Sequence, residues 1–266
     1  IDKPFGDPIK AFAALKAGDI LYVRGGTYHL SQTIKVNQTG TADKRICVFA
    51  YPGDTERPVF AFSGQPRSTS TEAASYRGVM HNIGANYWHY RGLDFCHAAD
   101  NGMKLEGSYC VVELCRFYGN EDTGLQQGFG KDSKGNNTRN TEFKYGRNNI
   151  IVNCDAYDNN DPWTHGGNAD GFAIKLYPGP GNEFHGCRAW HNSDDGWDLY
   201  YTVFPIVVDN CWVLNNGLDK GNANGFKMGG CKQGGTSTGA HVFKNCIAAF
   251  NAKKGFDQNH HREGLT

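Results

Sequence analysis

Six times along the chain a cysteine is followed five residues later by an asparagine: Cys96–Asn101, Cys115–Asn120, Cys154–Asn159, Cys187–Asn192, Cys211–Asn216 and Cys246–Asn251. None of the nine cysteines forms the Cys-x-x-Cys pair expected of a zinc site. A small apolar thiol at a fixed distance from a turn-forming amide reads instead as a structural repeat, in which each unit shows the same residue to the next. The pattern predicts a solenoid with buried thiols stacked in one column. Asparagines would stack in another, at an inner turn, where each satisfies backbone groups and the amide of the adjacent coil. Asn101 fits this ladder but also opens an Asn-Gly step, so two placements stay open for it. Cys47, Cys110 and Cys231 fall outside the ladder, and spacing leaves their pairing open.

A second repeat fixes the register. Asn168-Ala169-Asp170-Gly171-Phe172 is echoed by Asn192-Ser193-Asp194-Asp195-Gly196-Trp197-Asp198, and again by Asn222-Ala223-Asn224-Gly225-Phe226-Lys227. The glycines lie 25 and 29 residues apart, about one turn of a parallel β-helix with loops of variable length. Aligned on the glycines, Asp170 stands over Asp195 and Asn224, and Ala173 over Asp198 and Lys227. Stacked coils would bring equivalent residues to roughly 4.8 Å from one another. Four carboxylates and one lysine then converge on one patch.

The rest of the chain reads as scaffold. With 35 glycines, 9 prolines and many Asn-closed apolar runs, it is expected to be one all-β domain over residues 1–266. Residues 1–18 would form an N-terminal cap, with an amphipathic helix over Asp7–Lys16 closing the open sheet edge. Strands are expected over 19–28, 33–36 and 45–51, and a polar loop over 63–75. Residues 126–149 read as a loop insertion whose Lys131, Lys134, Arg139, Lys144 and Arg147 form either a solvated loop or a basic wall for an anionic polymer. No C-terminal cap is legible, and further coils are expected beyond Thr266. Lys+Arg and Asp+Glu balance at 27 each, which gives no global electrostatic case for nucleic acid or an anionic membrane. The start at Ile1 fits a mature or trimmed segment, so a missing signal peptide does not argue for the cytoplasm.

Any one Asp-Gly pair is an ordinary turn. As a register-matched set, Asp170, Asp194, Asp195 and Asp198 would repel one another unless protons or a cation intervene. Oxygen-only ligation without His or Cys favours calcium over zinc, although the spacing is not that of an EF-hand. Lys227 falls one coil beyond Asp198. A bound divalent cation beside it would disfavour its charged form and make it a general base. Lys104, in Asn101-Gly102-Met103-Lys104, holds the matching position but is read as structural, with no acidic cluster beside it. Lys175, Trp163, His165, Arg188 and Tyr200 lie near the cluster in sequence; Lys175 is the candidate for a substrate carboxylate.

From Asn168 to Gly229 the chain resembles the pectate lyases of polysaccharide lyase family 9, which are right-handed parallel β-helices. The motifs are the Asp of NADGF, the three Asp of SDDGWD and the Lys of NGFK, and the N-terminal strand and Asn ladder extend the resemblance over nearly the whole chain. The resemblance implies calcium on Asp170, Asp194, Asp195 and Asp198, with Lys227 as the Brønsted base. It further implies a monomeric, secreted or periplasmic enzyme acting on polygalacturonate by β-elimination, with no nucleic acid or membrane partner. Abstraction of the C5 proton next to a neutralised C6 carboxylate would expel the C4 oxygen and leave a 4,5-unsaturated end.

Three other readings compete. A β-helical polygalacturonase needs paired carboxylates for hydrolysis, but the Gly-His-Gly and Arg-Ile-Lys motifs of those enzymes are missing. A lyase acting on rhamnogalacturonan or another uronate polymer would keep the same chemistry. A non-catalytic glycan-binding β-helix would need only the scaffold and a structural ion.

Overall fold

The computed structural model describes residues 4–67, 76–231, 237–261 and 263–266. Its strands form three parallel sheets of eight strands each. Each sheet pairs every strand with the one three places further along the chain, so the backbone winds as a right-handed parallel β-helix. Each full coil contributes one strand to every sheet. The coil containing the cluster runs through Ile150–Val152, Asp155–Tyr157 and Phe172–Ile174, and the next through Asn182–His185, Arg188–Trp190 and Trp197–Asp198.

The helix covers Pro8–Ala14, shorter than the expected 7–16. Asp7 caps it by accepting from Ile9 N at 2.9 Å, and Pro8 occupies the first turn, where a missing N–H costs nothing. Phe12 stacks on Trp88 and meets Phe60 edge-on, so the apolar face of the helix closes the end of the core. The expected strand over 19–28 is two strands, Ile20–Val23 and Gly26–His29, because the chain changes sheets at Arg24-Gly25. Of the expected loop over 63–75, positions 68–75 lie outside the described residues. The expected insertion begins two residues late: Gln126 and Gln127 are buried in the strand Leu125–Gln127.

The Cys-x₄-Asn motif has a backbone meaning. Leu114, Asn153, Gly186, Asn210 and Asn245 have φ between 51° and 64°, and each immediately precedes a cysteine of the motif. Three strand residues follow that cysteine, then a second left-handed residue: Gly119, Asp158, His191, Asn215 or Phe250. The ladder asparagine comes next. One motif is thus a three-residue strand of the second sheet bracketed by two left-handed corners. The thiols point inward, with Cys115 N donating to Cys154 Sγ at 3.4 Å and Cys187 N to Cys211 Sγ at 3.4 Å. All nine cysteines are free thiols.

The asparagine ladder runs without a break. Asn120 Nδ2 donates to Asn159 Oδ1 (2.9 Å), Asn159 to Asn192 (2.8 Å), Asn192 to Asn216 (2.9 Å) and Asn216 to Asn251 (2.9 Å). Asn101 is not part of it. In its coil the left-handed corners are Gly92 and His97, which put Leu93 in the thiol column and Ala98 in the asparagine column. Ala98 N closes the ladder on Asn120 Oδ1 at 3.0 Å, while Asn101 donates to Gln126 Oε1 at 2.9 Å. Cys96 accordingly ends its strand, paired with Tyr118, instead of preceding one.

Candidate active site

The cluster is built on the third sheet. Consecutive coils enter this sheet through a glycine pressed against the next coil, as at Gly124, Gly171, Gly196 and Gly225. A Cβ on Gly171 would meet Gly196 O at 2.8 Å, and one on Gly196 would meet Gly225 O at 2.8 Å. Backbone cannot give way there, so the step must be glycine. After it the alternation of a strand takes over. Phe172, Trp197 and Phe226 turn inward and stack with ring centroids 4.7 and 5.1 Å apart. Ala173, Asp198 and Lys227 turn outward, in the register Ala173↔Asp198↔Lys227. Inner aromatics thereby hold the outer column.

The predicted carboxylates come together in a dense hydrogen-bond shell. Asp170 Oδ1 accepts from Asp195 N at 3.2 Å, while its Oδ2 takes Lys175 Nζ at 2.7 Å and the Thr123 hydroxyl at 3.3 Å. Asp194 accepts from Asn168 N at 2.8 Å and from Asn222 N. Asp195 Oδ1 accepts from both N and Nδ2 of Asn224 at 2.9 Å. Asp195 Oδ2 is buried, accepts no hydrogen bond among the described residues and faces Lys227 Nζ at 3.1 Å. Asp198 Oδ1 takes Tyr200 N at 3.0 Å, and its Oδ2 lies between Lys175 at 3.1 Å and Lys227 at 3.5 Å. Oxygens of Asp170, Asp194 and Asp195 fall within 4.8 Å of one another, the one such group of potential metal ligands among the described residues. Asp198 adjoins that group as the bridge between the two lysines.

Burial and crowding set the charges. Burial pushes Asp170 well above the usual carboxylate range against the pull of Lys175. Asp195 is pushed up to about 7, by burial first, with Asp194 and Asp198 adding to it against Lys227. Burial also acts on Asp198, but Lys227 and Lys175 outweigh it and bring that carboxyl below its usual value. Burial disfavours the Lys227 ammonium, yet Asp198 and Asp195 override it and hold the lysine above its ordinary range. The expected lowering of Lys227 is therefore not a property of the protein's own charges. It requires a cation on the carboxylates, whose field would oppose theirs.

Lys175, Asp194, Asp198, Tyr200 and Lys227 line one cavity of about 350 Å³, with Lys131 at its edge. Lys131 lies over the rings of Tyr200 and Tyr201 at 4.5 and 4.4 Å, so this part of the 126–149 segment does reach the groove. Lys144 instead pairs with Glu142 at the surface. Arg188 is away from the site: it sits on the second sheet and grips Asp155 with two hydrogen bonds of 2.7 and 2.9 Å. Trp163 and His165 lie in the loop before Asn168 and do not line the cavity. Thr123 and Asn224 also support the carboxylates: the glycine alignment places Asn224 in the Asp170–Asp195 column, and the structure adds Thr123, whose Gly124 packs on Gly171 O one coil earlier.

Lys104 also departs from expectation. It continues the outward column, Lys104↔Gln126↔Ala173↔Asp198, and has acidic neighbours. Asp100, Glu106 and Asp122 line the same cavity as Lys104. Asp100 and Glu106 flank the Asn101–Lys104 motif in sequence, and Asp122 reaches the cavity from the adjacent coil.

Residues 1–266, the full sequence, match the family described as "Pel9A-like, right handed beta helix region". The chain belongs to this family. Among Pel9A-like relatives, pectate lyase L of Dickeya dadantii is 36% identical over 96% of this chain and 57% of its own length. The crystal structure of pectate lyase Pel9A is 34% identical, with a TM-score of 0.78 over 95% of this chain and 60% of that one. A rhamnogalacturonan lyase structure is 27% identical, with a TM-score of 0.81 over 98% of this chain and 67% of that one. The chain thus spans little more than half the length of the Dickeya relative, and the matched region carries the whole aspartate–lysine cluster.

Proposed function

We propose that this chain is the catalytic β-helix of a secreted or periplasmic pectate lyase, cleaving α-1,4-galacturonan by β-elimination. The observation that carries the reading is Lys227 Nζ standing 3.1 Å from Asp195 and 3.5 Å from Asp198, next to a group of three carboxylates. The donor set suits calcium: the ligands are all hard oxygens, and Asp195 Oδ2 is a buried oxygen without a hydrogen bond among the described residues. Asp170, Asp194, Asp195 and Asp198 would hold the ion. Bound there, calcium would neutralise a uronate carboxylate and stabilise the enolate-like charge that develops at C5.

The chain's own groups do the rest. Lys227, in its neutral form, accepts the C5 proton, and the electrons of that bond form the 4,5 double bond as the C4 oxygen departs. Asn224 and Tyr200 hold Asp195 and Asp198 through backbone donors, so the carboxylates need no reorganisation during the reaction. Lys175 lines the same cavity and is assigned to the substrate carboxylate; a cation held by Asp170 and Asp198 would weaken their hold on its ammonium. No nucleophile is required.

Incubation with polygalacturonate and calcium should generate the ultraviolet absorbance of an unsaturated uronide, and excess chelator should abolish it. New reducing ends without that absorbance would instead mean hydrolysis and overturn the reading. The likeness to the rhamnogalacturonan lyase structure favours a second polymer. Parallel assays on rhamnogalacturonan separate the two, since the lyase product has the same chromophore.

A further inference from the structure

The outward column that carries Asp198 and Lys227 continues along the groove to donors that the reaction does not use. A cavity of about 420 Å³ adjoins the first one at Lys131 and Leu176, and is lined by Arg77, Lys104, Gln126 and Arg139. Lys104 is 8% exposed, yet its ammonium makes no hydrogen bond and no ion pair among the described residues. Its neighbours are already committed. Arg139 holds both oxygens of Glu106 at 2.8 Å, and Arg77 faces Asp100 at 3.4 Å. Gln126, one coil on, accepts from Asn101 through Oε1 and leaves its amide N–H groups without an acceptor among the described residues. An almost buried cation and an adjacent amide donor, both unpartnered, make a receptor for an oxyanion.

The surroundings permit an anion there. Glu106 is neutralised by Arg139, and Asp100 is pushed up to about 7 by burial and by Asp122, so it is part-protonated near neutrality. Asp122 is raised by burial as well, against the pull of Lys175 and Lys104. Burial and Arg77 bring Lys104 down to about 8 against the pull of Glu106 and Asp122, which leaves it charged at neutral pH with no carboxylate in ion-pair contact among the described residues. Lys104 lies four register steps from Lys227, ~19 Å at the spacing of stacked coils and about the span of four sugars.

We propose that Lys104 and Gln126, with Arg77 beside them, form a second carboxylate-binding position that reads an unesterified uronate about four sugars from the bond cleaved at Lys227. The proposal rests on an acidic polymer as substrate. Affinity electrophoresis through gels containing polygalacturonate, run in excess chelator to silence the aspartate cluster, measures this position directly. Lys104→Gln should weaken retardation about tenfold, the loss of one charge-assisted contact, and Lys104→Arg should restore most of it. In the cleavage assay the Lys104→Gln loss should fall in KM and grow from trimer to long polymer.

Unchanged retardation would overturn the proposal. So would a loss carried in kcat, or one equal on trimer and polymer. Should Lys104→Gln fail to fold by circular dichroism, Arg77→Gln provides the same test. If the unsubstituted protein were retarded but did not cleave, and Lys104→Gln abolished retardation, this position would stand while the lyase reading fell. No retardation of the unsubstituted protein would overturn this position alone, since the aspartate cluster is silent in chelator and the lyase reading is tested by the calcium-dependent cleavage assay.

Discussion

Asp195 is the residue at which protonation and cation binding compete. Its folded value of about 7 lies above the ordinary 3.8, so the folded protein takes up a proton that the unfolded chain has lost. That group's contribution to stability is fully present below about 4 and is lost as pH rises through about 7. A cation favours the opposite state. Without added metal, the difference in Tm between the unsubstituted protein and Asp195→Asn should therefore shift against the unsubstituted protein across that interval. Added calcium should raise Tm more at about pH 8 than at about pH 5, because protons compete for the same oxygens. A calcium effect of equal size at both values would contradict the assignment. Lys227 is coupled to the same event: Asp198 and Asp195 hold its proton, and under the proposed function a cation on them would free the lysine to act as a base. Activity should accordingly rise from neutral into alkaline pH.

At the scale of the element, the repeating unit is a short strand between two left-handed corners, and its tolerances follow from that geometry. Asn153, Gly186, Asn210 and Asn245 suit the first corner, but Leu114 holds the same conformation at φ 54° with a branched side chain. Leu114 is exposed, so Leu114→Asn should stabilise the protein by about 0.5–1 kcal/mol in urea denaturation; a loss of stability would show that its packing matters more. Asn192 bonds to Asn159 and Ala156 O in the coil before it and to Asn216 in the coil after it. Asn192→Ala leaves several buried partners unsatisfied and should cost at least about 2 kcal/mol. These corners also explain what could be read from the sequence. Five of the six Cys-Asn pairs mark the corners truly. The sixth, Cys96–Asn101, matches the spacing by coincidence, because glycine and histidine fill the corners of that coil and Leu93 and Ala98 fill the columns. Spacing alone cannot reveal a column whose chemistry has changed.

The whole molecule is a ruler with its chemistry on one edge. Phe172, Trp197 and Phe226 fix the coils from inside, and the opposite faces of the same strands carry Ala173, Asp198 and Lys227. The aspartate–lysine column was legible because glycine steps of similar sequence recur in consecutive coils. The Lys104 region was only partly so: Asp100 and Glu106 flank Lys104 in sequence, but Asp122 comes from the adjacent coil and coil length varies with the inserted loops. The ion pairs of Lys175 with Asp170 and Asp198 also escaped a linear reading, because they depend on residues 5 and 23 positions away meeting across two coils. The central claim is that Lys227 takes the proton, and the most direct test is product formation by Lys227→Ala and Lys227→Arg on polygalacturonate at saturating calcium. Both should lose about a thousandfold or more of the unsaturated uronide, since alanine has no base and guanidinium stays protonated. The calcium-dependent rise in Tm should persist in Lys227→Ala, because the lysine competes with the ion for Asp195 and Asp198. Near-normal production of unsaturated uronide by folded Lys227→Ala would contradict the account and move the base to another group.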